Sequence, residues 1–269
     1  MEKFLFLSDI DGTLLRGSSG IGEGVKTAAR KFISTGGLLT LCTGRSRFST
    51  RWIAEELGIQ IPCILYNGAG IYDFSQDRYL KSFPLPEDVL ELVRKVYDFY
   101  PGISIQVYTK DNIYMIRTNE YLAAHGVQEE MQGPIYSLAD VRGEILKITM
   151  VSTDRSLLKQ CGEEVFNNEQ LRFDFASRHF AEVYAREAGK EAALHIMAEH
   201  YGVKIKNVFS AGDGMTDLQV LKASGYSFAP VNAPRQLLEV CSMVIPACED
   251  GGMGQAFNRA IEMMNKEMA

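Results

Sequence analysis

The sequence contains no run of basic residues longer than an adjacent pair, and its net charge is -6 with a pI near 5.4. A surface that tracks nucleic-acid phosphates needs clustered Lys and Arg, so nucleic acid is not an expected partner. Cysteine is sparse: Cys42, Cys63, Cys161, Cys241 and Cys248 are widely spaced, odd in number and lack any Cys-x-x-Cys. That pattern argues against a disulfide framework or a zinc knuckle and for reduced thiols. Long apolar runs are missing at the amino terminus, where Phe4-Leu5-Phe6-Leu7 gives way to Ser8 and Asp9. Four apolar residues are far too few for a signal-peptide core or a membrane span, so a cytoplasmic protein without a membrane partner is expected.

What is present is ordinary globular material. Of 269 residues, 46% are hydrophobic and 23% charged, which leaves no case for disorder. The length points to two domains, or to one core carrying a large insertion. Short apolar runs at Phe4 to Ser8, Leu38 to Cys42, Cys63 to Tyr66, Val208 to Ala211, Tyr226 to Ala229 and Met243 to Ile245 read as buried parallel strands. Helical periodicity lies between them, at Gly22 to Thr35, Arg47 to Leu57, Lys190 to Tyr201, Thr216 to Ser224 and Gly254 to Asn265. Both ends of the chain therefore predict an α/β fold with a doubly wound, Rossmann-like parallel sheet.

The middle changes character. A helical stretch from Asp88 to Tyr100 precedes two alternating runs, Ile103 to Thr109 and Ile113 to Thr118, that read as a hairpin. Runs at Ile145 to Val151, Leu171 to Phe175 and Ala181 to Ala185 flank a helix from Ser156 to Asn167. Residues 85–187 are thus expected to form an inserted α+β domain with an antiparallel sheet, and residues 1–84 and 188–269 the core that carries it.

Four predicted strand or helix ends carry chemistry. Asp9 and Asp11 in Asp9-Ile10-Asp11-Gly12-Thr13-Leu14 are two apart after the first strand, so both face one space at its carboxyl end, where open α/β sheets bind ligands. Two adjacent carboxylates repel and ask for a cation or a shared proton. Thr43 and Gly44, in Thr43-Gly44-Arg45, place a hydroxyl and an open backbone at the second strand's end. The hydroxyl fits either a phosphate contact or a helix N-cap, a cap that Ser46 supplies equally well. Lys190 starts a helix, where a cation opposes the macrodipole unless solvent or an anion compensates. Asp213 and Asp217 share a face if a helix starts at once after Gly212. Magnesium takes one or two protein carboxylates and keeps waters and substrate oxygens as its other ligands, which suits Asp9, Asp213 and a carbonyl. Taken singly, each segment is explained by turns and caps; together, four such ends are not.

In this order the segments resemble the four motifs of the haloacid dehalogenase superfamily of phosphohydrolases. The inserted domain, Tyr66-Asn67-Gly68-Ala69 and Glu249-Asp250-Gly251-Gly252 are similar to its Cof-type (subclass IIB) branch with an α/β cap. The resemblance implies Asp9 as nucleophile, Asp11 as general acid and then base, and Thr43, Gly44 and Lys190 as phosphoryl ligands. It further implies Mg2+ held by Asp9, the Asp11 carbonyl and Asp213, with Asp217 in a supporting place, acting through water or by orienting Lys190. Thr216 departs from the Asn common in that branch. The reaction so implied is hydrolysis of a small phosphorylated metabolite, a sugar phosphate foremost, through an aspartyl-phosphate, the cap closing to exclude water. A phosphosugar mutase and a catalytically silent metabolite binder are the alternatives.

Other motifs are weaker. Gly20-Ile21-Gly22-Glu23-Gly24 has the wrong spacing for a dinucleotide loop, and His195 and His200, five apart, cannot form the i, i+4 zinc pair. In the insertion, Tyr108, Tyr114, Arg117, His179, Tyr184 and Arg186 sit on or beside alternating strands, and no site role is assigned to them.

Overall fold

The computed structural model describes residues 2–15, 20–125 and 133–268. In chain order its elements are β1 (Leu5–Ser8), α1 (Glu23–Ser34), β2 (Leu38–Leu41), α2 (Arg47–Leu57), β3 (Cys63–Leu65), β4 (Gly70–Asp73), β5 (Arg78–Ser82) and α3 (Val89–Phe99). There follow β6 (Ser104–Thr109), β7 (Ile113–Arg117), α4 (Glu120–His125), β8 (Ile145–Val151), α5 (Arg155–Val165), β9 (Leu171–Phe175) and β10 (Phe180–Ala185). The chain ends with α6 (Lys190–Tyr201), β11 (Val208–Ala211), α7 (Leu218–Ala223), β12 (Tyr226–Pro230), α8 (Arg235–Leu238), β13 (Met243–Ile245) and α9 (Gly252–Met268). Two compact units result, Met1–Leu80 with Gly189–Ala269, and Lys81–Ala188.

The discontinuous unit is built on a parallel sheet ordered β13-β12-β11-β1-β2. Side chains alternate across a strand, so β1 buries both of its faces. Phe6 points into an aromatic cluster with Phe32 of α1, Phe209, Phe228 and Phe257 of α9, its ring centroid 4.7 Å from that of Phe257. Leu5 and Leu7 pack on the opposite face against Leu194 and Met197 of α6 and Val220 of α7. Strand order places β2 on one side of β1 and β11 on the other. Connections that leave in opposite directions open a crevice at the strands' carboxyl ends, the switch point where such sheets hold ligands.

One strand departs from expectation. Cys63–Leu65 lies parallel beside the end of β2 through an isolated Cys42–Ile64 bridge and the Thr43 N–H donating to the Ile64 carbonyl, but its ladder is antiparallel with β4, in a separate sheet ordered β3-β4-β5. The physical reason lies in the next two residues: Tyr66 and Asn67 both adopt positive φ, 53° and 55°, and reverse the chain onto itself. The β4 and β5 strands that follow have no counterpart in the sequence reading.

The inserted unit is an antiparallel sheet ordered β7-β6-β8-β10-β9. Ile105, Val107, Ile148, Met150, Ala181 and Val183 join its core with Val89, Val93 and Val96 of α3 and Leu158 and Cys161 of α5. Arg117 bonds the carbonyls of Ile103, Tyr97, Val96 and Tyr100, tying β7 to α3 and the turn after it. Arg186 donates in the same way to the carbonyls of Glu169 and Asn168, and Tyr184 to Asp174. These side chains stitch the unit together.

Candidate active site

Asp9 sits immediately beyond β1, with its N–H donating to the carbonyl of Ala211 at 2.9 Å and its carbonyl accepting from Ser8 Oγ at 2.8 Å. The nucleus of the site is Lys190. It is the first residue of α6, only 5% exposed, and its Nζ donates to Asp9 Oδ1 at 2.8 Å and to Asp217 Oδ1 at 2.6 Å. Lysine is almost never buried without a partner, and here two carboxylates supply the compensation that the helix start denies it.

Asp217 arrives by a different route from the one-face helix expected. Gly214 is extended and a single 3-10 turn, Met215–Asp217, precedes α7. Asp217 turns back to accept from the Gly214 N–H at 2.9 Å. The segment is tight enough that a Cβ on Gly212 would lie 2.4 Å from Asp217 Cγ. Asp213 is held by a hydroxyl: Thr13 Oγ1 donates to its Oδ1 at 2.7 Å. Gly12, at φ +83°, makes room for the pair, since its Cβ would stand 2.2 Å from Asp213 Oδ2.

Oxygens of Asp9, Asp213 and Asp217 lie within 4.8 Å of one another. Burial pushes the Asp9 carboxyl well above its usual range, with repulsion from Asp217 and Asp213 adding to it and Lys190 opposing. Burial likewise raises Asp213 to about 6, against the Thr13 hydrogen bond that lowers it. For Lys190 burial acts downward, yet attraction from Asp217 and Asp9 prevails and holds it charged. With all three carboxylates ionised, the single charge of Lys190, which pairs with Asp9 and Asp217, would leave two negative charges uncompensated, and the raised Asp9 and Asp213 carboxyls reflect that crowding. The donor set is all oxygen, so a hard divalent cation fits the residues present in charge and in ligand type.

Asp11 lies apart from that trio. Its Oδ2 and Oδ1 accept from Arg45 Nε at 2.7 Å and Nη2 at 2.6 Å. Thr43 is buried at the end of β2, and its Oγ1 accepts from the Arg45 N–H at 3.2 Å. The cap of α2 comes from Ser46, whose side chain accepts from the N–H groups of Phe48 and Ser49. Gly44 is packed against Asn67, whose Oδ1 stands 2.8 Å from where a Cβ would be. The predicted residues thus gather at neighbouring strand ends. Thr13, Arg45 and Asn67 lie within the motifs but carry no role that the sequence signals; positive φ at a buried Asn67 and the partners of Thr13 and Arg45 single them out. A cavity of about 560 Å³ is lined wholly by the inserted unit, including Lys159, Arg172 and Arg186, and by none of the predicted site residues. Among the described residues, no helix is long and apolar enough to cross a membrane.

Comparison with known proteins places the chain in a family. The family model of haloacid dehalogenase-like hydrolases matches residues 6–257. The chain is 26% identical to 5-amino-6-(5-phospho-D-ribitylamino)uracil phosphatase YwtE of Bacillus subtilis (strain 168), over 91% of this chain and 93% of that one. Identity to the HMP-PP phosphatase of Serratia proteamaculans (strain 568) is also 26%, over 90% and 89%. In structure, the HAD subclass IIB sugar phosphatase BT4131 superposes with a TM-score of 0.81 at 18% identity, covering 96% of this chain and 98% of that one.

Proposed function

We propose that this chain, which belongs to the haloacid dehalogenase-like hydrolases and is an enzyme of the phosphatase kind, hydrolyses small phosphomonoesters through a phosphorylated Asp9. The observation that carries the reading is the buried Lys190 between Asp9 and Asp217 at the mouth of the β1/β11 crevice. In a water-poor pocket a fixed ammonium group favours an incoming phosphoryl dianion far more than it would in solvent.

The Asp9 carboxylate attacks phosphorus, and the bond from phosphorus to the ester oxygen breaks. Asp11 gives that oxygen its proton, and the alcohol leaves. Asp11, now anionic, takes a proton from water. The water oxygen attacks phosphorus, the acyl-phosphate bond breaks, and Asp9 returns to its carboxylate with release of inorganic phosphate. Lys190 and the Thr43 hydroxyl hold the phosphoryl oxygens, Gly44 offers its main chain alongside, and Asp217 keeps Lys190 charged and aimed. Asp9, Asp213 and the Asp11 carbonyl would hold Mg2+, and the ion supplies positive charge against the phosphoryl oxygens when bound.

A sugar or sugar-alcohol phosphate is the substrate class favoured. The motif resemblance supports it, and the Bacillus relative is named for a phosphoribityl compound. The test is phosphate release from a panel of sugar, sugar-alcohol, nucleotide and aryl phosphates with magnesium, repeated after chelation and with Asp9→Asn. Turnover on sugar phosphates that chelation abolishes, magnesium restores and Asp9→Asn eliminates is expected. Full turnover by freshly prepared Asp9→Asn would overturn the nucleophile.

A further inference from the structure

The Asp11 side chain, whose one side-chain partner among the described residues is Arg45, is half exposed, with 50% of it open. A general acid left free in that way would sample many positions. Its partner is the opposite case. The Arg45 side chain is 9% exposed, its N–H donates to Thr43 Oγ1, and its carbonyl accepts from the Tyr66 N–H at 3.0 Å. The next residue, Ser46, caps α2, so the main chain carrying the guanidinium is fixed on both sides.

We propose that Arg45 is a positioning residue for Asp11: its buried fork holds the carboxylate by both oxygens and sets where the acid and base of the reaction stands. This rests on the assignment of Asp11 given above. An exposed ion pair contributes little because two floppy side chains must be ordered to form it, but here one partner is ordered by burial before the contact is made. The guanidinium presents two parallel donors in one plane, so it fixes the orientation of the carboxylate as well as its distance. The fork also tolerates the work of the reaction. When one Asp11 oxygen carries the proton for the leaving group, the other keeps its bond to Arg45, and the group is not lost to solvent between the two steps. A lysine, a single-point charge, cannot hold one oxygen while releasing the other in a defined direction.

The experiment compares kcat/KM for an alkyl phosphate and for p-nitrophenyl phosphate in the full-length wild type and in Arg45→Gln, Arg45→Lys and Asp11→Asn. Nitrophenolate leaves without a proton, whereas an alkoxide does not, so the ratio of the two constants reads the acid. Arg45→Gln and Arg45→Lys should both lose about ten- to a hundredfold on the alkyl ester and less than about threefold on the aryl ester, following the pattern of Asp11→Asn. Equal losses on both esters would make Arg45 a phosphoryl ligand and overturn the proposal. So would unchanged constants on both, or full retention in Arg45→Lys. If Asp11→Asn itself showed no selectivity for the alkyl ester, the assignment of Asp11 would fail first. Selectivity in Asp11→Asn without selectivity in the Arg45 variants would sink the positioning role alone.

Discussion

Replacing Lys190 with Met keeps a long apolar stem in place and removes only the charge. Asp9 and Asp217, 8% and 1% exposed, then share a buried space with no cation between them. Two unit charges 4.8 Å apart, the limit within which the oxygens of this cluster lie, repel by about 3.5 kcal/mol at an effective dielectric of ~20. The chain escapes that cost by protonating one carboxyl. At pH 7, roughly three units above an ordinary Asp, doing so costs about 4 kcal/mol. The two figures agree with the ~3–5 kcal/mol typical of breaking a buried ion pair from one side. In chelator at pH 7, thermal or urea unfolding of Lys190→Met should therefore show a deficit of about 4 kcal/mol, or ~8–16 °C in Tm. The sign of its pH dependence follows. Protonating an Asp becomes easier as pH falls, so the deficit against wild type at the same pH should shrink by about 1.4 kcal/mol per unit down to pH 5. Lys190→Met/Asp217→Asn, which removes one carboxylate with the lysine, should recover most of the loss. A variant as stable as wild type at both pH values would refute the reasoning, because it would mean that the two carboxylates are not ionised around Lys190.

Gly12→Ala combines a left-handed φ with a Cβ 2.2 Å from Asp213 Oδ2, so it should cost about 1–3 kcal/mol in unfolding experiments and weaken magnesium activation by displacing Asp213; unaltered magnesium dependence would show that Asp213 does not stand where the turn puts it. The buried thiols of Cys63 and Cys161 are pushed up to about 12 by burial, from 9.0. A group whose folded value is raised contributes fully below its unfolded value and loses that contribution as pH rises towards the folded one. Stability should thus fall above pH 9 by about 1.4 kcal/mol per unit for each such group, and Cys161→Ala should flatten the fall in urea midpoints between pH 9 and 10.5; an unchanged slope would show that Cys161 is not sealed from solvent.

Local pattern carried much of this molecule. The run Leu5–Ser8, apolar at every position before a carboxylate, could be read as a strand buried on both faces because a parallel sheet covered by helices needs no alternation. Arg47–Leu57 and Lys190–Tyr201 begin and end where their caps lie in the sequence, and Asp9, Asp11, Thr43, Lys190, Asp213 and Asp217 stood out because each follows or opens such an element. Tertiary structure decided the rest. Cys63–Leu65 reads as one more buried strand of the parallel sheet, and buried it is, but positive φ at Tyr66, Asn67 and Gly68 after it folds the chain into a hairpin of another sheet. The bond of Lys190 to Asp9 joins residues 181 apart, that of Arg45 to Asp11 spans 34, and that of Thr13 to Asp213 spans 200. Propensity and periodicity act over a few residues and mark where a strand ends. Which charge meets which carboxylate is set by the order β13-β12-β11-β1-β2, which brings those ends to one crevice.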